Sequence, residues 1–473
     1  MARGRAAPVD ERLRVPHDRP RAALPLGGIG SGGVIVRLRA VAEAIRNSLF
    51  FVPVFCVILG LALAVGMLAL DQRVDLRSVP SVFRFTVDSA RELLATMAGA
   101  IITVAAIVFA LTGLSVQLAS SQFSPRVVRG FLRDRTAQFS IGFTVGTFTY
   151  TVVVLRAVRS ADDAPDVVPV FSTALALALA VAAVVAIVAF VSRTAHRLQS
   201  SELIRSVAEE TLNAVRRALP ARGEGGQGSA ARRVHPPALG WGVGADSMGW
   251  IAQMSAEDIL DVLPPGGMAR VEVKVGQFVH AGRRLCTVWG ELDNQDRAQR
   301  SVNRAFAVGT SRTMQQDVGF GIRQIVDIAL RALSPGVNDP TTAHECIVHL
   351  GAVLFEILRR DLPPAAVLGE DGRCVILADR PTYVDYVSQA FDEIRQSAVA
   401  HPSLASALVE TLAGLASELK ADGILQDERS EALARQARLV LDGVERSCPL
   451  PDDAKPVADA AEVFFAGLRQ TPK

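Results

Sequence analysis

Net charge is nearly absent from this chain. Its 50 Lys and Arg face 48 Asp and Glu, a formal balance of +2, so no global basic field points to nucleic acid. Cysteine is scarce. Cys56, Cys286, Cys346, Cys374 and Cys448 form no CxxC pair and show no zinc spacing, which fits a reduced compartment plus one membrane cysteine. No signal-peptide core with a cleavage site stands at the N-terminus. Residues 1–40 read instead as a polar, proline-containing disordered extension. Gly28, Gly30 and Gly33 make a formal G-x-G-x-x-G, but Pro25 precedes them and an apolar segment follows directly. The strand, helix and acidic residue of a dinucleotide fingerprint are missing, so the stretch is a linker.

What the chain does have is hydrophobic length. Four apolar blocks, at 49–70, 94–118, 139–155 and 168–191, are each long enough to cross the hydrocarbon as a helix, or nearly so. Arginines cluster before the first block (Arg37, Arg39, Arg46), between the second and third (Arg126, Arg129, Arg133, Arg135) and after the fourth (Arg193, Arg197, Arg205). The positive-inside rule then puts both termini and the middle loop in the cytoplasm. That middle loop also carries Phe123, Val127, Val128 and Phe131, a pattern suited to an anionic inner leaflet or to docking on the soluble part.

No Asp, Glu, Lys or Arg is central in any block, which argues against a transporter coupled through an intramembrane carboxylate. A pore lined by hydroxyls and backbone remains open to it. The candidates are Thr112, Ser115 and Gln117 in the second block and Thr144, Thr147 and Thr149 in the third, with Gly113, Gly142 and Gly146 beside them. The same small residues also suit helix packing. Four helices enclose little space, so a pore calls for a homo-oligomer.

Beyond residue 200 the composition becomes that of a globular domain. A helix over 201–219 continues from the fourth block, and a flexible loop follows it. Val271, Val273 and Val275 alternate with polar residues, Gly276 and Gly282 mark turns, and 285–289 makes another strand. This module is similar to half of a biotinyl/lipoyl-like sandwich. Lys274 falls in a strand rather than a hairpin tip, so the module is structural. Helices are expected at 383–399, 404–419, 428–444 and 457–468, and a short strand near 373–376.

The densest polar run inside an apolar periodic pattern is QDVGFGIRQIVDIALRALSPGVNDPTTAHECIVH, from Gln316 and Asp317 to His349. Arg323, Asp327 and Arg331 fall at i, i+4 and i+8, an alternating-charge ladder. Ser334, Pro335 and Gly336 stop the helix; Asn338 and Asp339 suit a turn and cap, Pro340 a first helical position, and Thr341 the new helix. The corner is either purely a capped turn or an amide nest for a small anion, helped by Arg323 or Arg331. His344, Glu345, Cys346 and His349 space their histidines by five, which does not make the H-E-x-x-H face of a metal site. No nucleophile, base and acid converge in the pattern, so neither catalysis nor a cofactor is expected.

That run, with QLASSQFSPRVVRGFLRD after the second block, resembles the DUF2254 family of predicted bacterial membrane proteins over roughly residues 40–470. The resemblance implies a multi-pass location in the bacterial cytoplasmic (inner) membrane and leaves the activity open. The family signature maps to Gln316, Asp317, Phe320, Arg323, Asp327, Arg331, Ser334, Pro335, Asn338, Asp339, Pro340 and Thr341, with no roles attached; the first forty residues lie outside it as a possible start-site extension. The expected architecture is four transmembrane α-helices followed by a mostly helical α+β cytoplasmic domain with a small β module. Its parts are an extension (1–40), a membrane domain (41–199), a linker helix and β module (200–315) and a helical domain (316–473). Two functions suit it: an oligomeric channel or transport-related protein with a regulatory domain, or a membrane-anchored sensor, scaffold or assembly factor. The expected partners are its own copies, the lipid bilayer and a small anion or ion, not nucleic acid.

Overall fold

The computed structural model describes residues 51–73, 86–122, 135–158, 169–197, 200–223, 240–292, 294–369, 371–448 and 450–469. The N-terminal extension, the glycines at 28, 30 and 33, and the arginine-rich loop 123–134 lie outside the described residues, as does the Ser115 side chain.

The apolar blocks form α1 (Phe51–Asp71), α2 (Val87–Gln122), α3 (Arg135–Ala157) and α4 (Val170–Arg197). Val54, Phe55, Ile58 and Leu59 on α1, and Val181, Val184, Val185 and Val188 on α4, are all more than half exposed. Such surfaces are stable only against lipid or another subunit. The central helix is α3, which packs on α2 and α4 and meets α1 backbone to backbone. A Cβ on Gly146 would lie 2.7 Å from the Cys56 carbonyl oxygen, and one on Gly60 2.4 Å from that of Gly146. Small residues four apart permit this approach, the usual device where lipid removes any hydrophobic drive between helices. At one end of the bundle the Asp71 carboxylate accepts from the Phe171 and Ser172 amides, each at 2.9 Å, and from the Ser172 hydroxyl. One span thereby caps the N-terminus of another.

After α4 comes α5 (Ser200–Ala218), then β1 (Trp241–Gly244), β2 (Gly249–Met254), α6 (Ala256–Leu260), β3 (Met268–Val271), β4 (Phe278–Val279), β5 (Arg284–Trp289), α7 (Gln295–Arg304) and β6 (Phe306–Gly309). The remainder is α8 (Val318–Ala332), α9 (Pro340–Leu358), β7 (Ala366–Leu368), β8 (Cys374–Leu377), α10 (Tyr383–Ala398), α11 (Pro402–Ala421), α12 (Asp427–Ser447) and α13 (Pro451–Arg469). Ser255 caps α6 by accepting from the Asp258 amide, as its sequence suggests.

The strands make a five-stranded sheet in the order β1-β5-β3-β8-β7 and a three-stranded sheet in the order β4-β2-β6. Strand β3 lies between β5, antiparallel, and β8, parallel. Residues far along the chain therefore complete the module. The alternating valines do not form one strand: β3 ends at Val271, and Gly276, at φ +83°, turns the chain instead. Val273 is buried in the module's core all the same, with Val275 packed against it.

Among the described residues five helices, rather than the four expected, are long and apolar enough to cross a membrane; the fifth is α9. Its surroundings are protein. Packed by α5, α8, α10 and α11, it buries Ala343, Cys346, Ile347, Leu350, Val353, Leu354 and Ile357 in a core shared with α12 and α13. A helix apolar nearly all round is either a span or the centre of a large core, and the expectation of four counted only the first kind.

Candidate functional site

The signature run builds α8, the corner after it and the start of α9. At its head, Asp317 is the N-cap of α8 and accepts from the Phe320 amide at 3.0 Å. The Arg312 guanidinium grips the same carboxylate through two bonds, at 2.8 and 3.1 Å, and stacks over the Phe320 ring. Burial pushes the Asp317 carboxyl up from its ordinary range, against the downward pull of Arg312 and the Phe320 amide. Position 276 must be glycine, because a Cβ there would lie 2.1 Å from the Asp317 carboxylate. Gln316 pairs its amide with the backbone N–H and carbonyl of Met254, at 2.9 and 3.2 Å. The head of α8 is thus docked onto the β module.

Along α8, Arg323 bonds Asp327 at 2.7 Å and also Glu393 on α10. The ladder read from spacing is therefore part of a helix-to-helix seam, closed further by Gln389 donating to the Gly319 carbonyl. Arg331 lies exposed in the last turn, where a cation complements the helix dipole.

At the corner the Ser334 hydroxyl donates to the Arg331 carbonyl, and the Ser334 carbonyl accepts from Val337 and Asn338. Asn338 sits at φ +47°, a left-handed conformation that asparagine tolerates. The Asp339 carboxylate caps α9 by accepting from the Thr342 amide at 3.0 Å and its hydroxyl at 2.6 Å. These bonds hold the Asp339 carboxyl below its usual value. Pro340 occupies the first turn, with Thr341 exposed beside it. Arg323, eleven residues before Ser334, lies about 16 Å up the helix from the corner; Asp339 and Thr342 meet there without it.

The corner has a neighbour that spacing did not predict. The Ser201 hydroxyl donates to Glu345 at 2.8 Å, and those of Ser200 and Thr342 approach to 3.5 Å. Ser200 follows the end of α4 by three residues. The signature corner therefore rests against the point where the chain leaves the bundle. Glu345 is engaged there, Cys346 is buried, and burial pushes its thiol up. Burial likewise drives the Cys286 thiol up to about 12. Both are inert thiols. Among the described residues no three of His, Cys, Asp and Glu gather as metal ligands.

The pore candidates divide. Thr144 and Thr147 are buried inside the bundle, whereas Thr112 and Thr149 are half-buried and Gln117 is exposed. Thr112, Thr144 and Thr149 each bond a carbonyl four residues earlier on their own helix. With Ser140 and Thr151, the two buried threonines make a stripe at i, i+4, i+7 and i+11, no member more than 3% exposed.

A second cluster lies at the other end of α5 and α9. Their C-termini read VRRALP and LRRDLPP, an Arg-Arg-x-Leu-Pro echo that was the available signal. Glu356 is buried and meets Arg360 at 2.9 Å and Arg216 and Arg359 at 3.6 Å. Arg360 also donates to the Leu219 carbonyl. Arg429, buried, donates to the Leu358 and Arg360 carbonyls and to the Tyr383 hydroxyl. Beside this network is a cavity of about 450 Å³.

The long apolar helices, the signature run and its capped corner converge with the family model for predicted membrane proteins, DUF2254, which matches residues 46–414. This chain belongs to the DUF2254 family. Relatives named only as uncharacterized proteins, from Mycobacterium bovis and Mycobacterium tuberculosis, are 30% identical over 439 residues, covering 90% of this chain and 81% of theirs. No solved structure matches it. This DUF2254 protein is therefore a multi-pass membrane protein, consistent with the bacterial inner membrane, whose spans precede a mostly helical region with a small β module.

Proposed function

We propose that this protein is an oligomeric, transport-related protein of the bacterial inner membrane, with both termini in the cytoplasm. Everything after α4 is then a cytoplasmic regulatory domain, and α9 is its core helix rather than a fifth span. The observation that supports transport is the hydroxyl stripe Ser140, Thr144, Thr147 and Thr151, buried along three turns of the central helix. Hydroxyls and backbone can line an ion path without any intramembrane charge. The arginine distribution around the spans supports the orientation. Regulation would pass through the contact of Ser200 and Ser201 with Thr342 and Glu345, which ties the exit of α4 to the signature corner.

Reconstitution in a planar bilayer tests this reading. The wild type should carry current or flux, and Thr144→Val with Thr147→Val should change its size or selectivity. Silence across voltages, ions and ligands would sink the transport reading, and a strictly monomeric particle in detergent would remove the shared pore. A second reading, a membrane-anchored sensor, scaffold or assembly factor, is favoured by the arginine-lined cavity at the far end of α5. It predicts ligand or partner binding without conductance.

A further inference from the structure

We propose that the cavity between the C-terminal ends of α5 and α9 is a binding site for a phosphorylated small molecule carrying more than one negative charge. The cavity measures about 450 Å³ and is lined by Arg216, Arg217, Leu219, Arg360, Pro363 and Pro364, among others. That size is in the range of small-ligand sites and exceeds what a lone phosphate group fills. Both walls come from the same short pattern, Arg-Arg-x-Leu-Pro, at 216–220 and 359–363. Each copy places its paired arginines at a helix end and its proline just beyond, where the helix cannot continue.

The simpler explanation of arginines at helix C-termini is that they neutralise the dipole and bond the last carbonyls. Arg360 and Arg429 do this, through the carbonyls of Leu219, Leu358 and Arg360. That explanation leaves a remainder. Arg216, Arg359 and Arg360 pair with Glu356, and Arg429 reaches Asp361 at 4.0 Å. Three guanidinium groups thus share the single Glu356, and Asp361 also accepts from the Gly223 amide. Arg217 lines the cavity yet has no hydrogen-bond or ion-pair partner among the described residues. Three arginines, Arg216, Arg217 and Arg360, thus line one cavity with Pro220, Pro363 and Pro364. Guanidinium forks match phosphate oxygens bidentately, so phosphate is the ligand chemistry that fits.

The phosphate has two possible sources, a soluble phosphate ester or a lipid headgroup. The cavity lies at the opposite end of α5 from α4, and the 19 residues of α5 span about 28 Å. The length favours the soluble source. This inference does not depend on whether the bundle conducts; a silent bilayer leaves it standing.

The test uses the full chain in nanodiscs, titrated calorimetrically with inorganic pyrophosphate and with ATP. Saturable binding is expected, weakened roughly tenfold or more by Arg217→Ala, as for loss of a charge-assisted hydrogen bond. Arg217 is exposed and has no hydrogen-bond or ion-pair partner among the described residues, so this variant keeps the fold; a matching thermal unfolding curve verifies that. Arg205→Ala removes a guanidinium engaged with Glu202 and Glu209 on the same helix and should leave affinity unchanged. Absence of saturable binding to either probe, or equal weakening in both variants, overturns the site. Displacement of pyrophosphate on moving from phosphatidylcholine to phosphatidylglycerol nanodiscs assigns the phosphate to a lipid headgroup; unchanged binding assigns it to a soluble ester.

Discussion

The bundle and the helical core are both built from long apolar helices, and α9 is apolar enough to belong to either. They differ in how close their backbones come. In the bundle, Gly60 and Gly146 bring α1 and α3 together until a Cβ would strike main-chain oxygen. In the helical core, the glycines admit side chains instead: Gly321 receives Thr211 and Gly351 receives Thr411. Water drives the second kind of packing and is absent from the first, where close van der Waals contact must do more of the work. Length and composition do not separate the two cases. The neighbours do.

The strongest test of this contrast is Gly146→Val. The obstacle is the Cys56 carbonyl, which cannot rotate away, so α1 must separate from α3 at a cost of roughly 3 kcal/mol or more. Thermal unfolding of the detergent-solubilised protein should show a large loss that Cys56→Ala does not rescue. A mild effect, or full rescue, would mean that the bundle packs through side chains as the core does.

A smaller effect is expected from Gly321→Ala. Its Cβ would lie 2.2 Å from the Thr211 hydroxyl, costing about 1–3 kcal/mol for overpacking, offset by up to ~1 kcal/mol of helix propensity. Here Thr211→Ala should restore most of the loss in a double-mutant cycle. Independent, additive losses would contradict the side-chain account.

The smallest effect concerns Asp339→Asn. Asparagine caps helices about as well as aspartate, so stability at neutral pH should change by only a few tenths of a kcal/mol. Asp339 is held below the ordinary value of 3.8 in the folded state, chiefly by the Thr342 hydrogen bonds. Its contribution is therefore full above that value and is lost as pH falls through the folded one. The melting temperature of the variant should fall less steeply with acid than that of the wild type. Parallel acid limbs would show that the carboxylate is not what holds the corner.

Much of the corner was legible from residue order. Asn338, Asp339 and Pro340 have few conformational options, and Asp339 caps α9 where its neighbours suggest. The spans, the four late helices and the strand near 374 were likewise local, set by apolar period and length. What could not be read were partners distant in sequence. Arg323 has the spacing to pair with Asp327, but nothing local announces Glu393. Val273 and Val275 alternate like a strand, yet Gly276 has to turn beneath Asp317, a residue forty-one positions on. Thr342 gives no hint that Ser200 lies beside it.

Apolar length alone specifies a multi-pass membrane protein, because some twenty apolar residues in a row can satisfy their backbone in lipid only as a helix. The caps at Ser255, Asp317 and Asp339 act within one turn, whereas the last helix begins at Pro451 rather than at 457 and runs through Pro456. Local order does not record that α9 lies within a protein core, that β8 completes the sheet begun at β1, or that two Arg-Arg-x-Leu-Pro segments face one cavity. Those outcomes depend on which surfaces meet, and periodicity records one helix at a time.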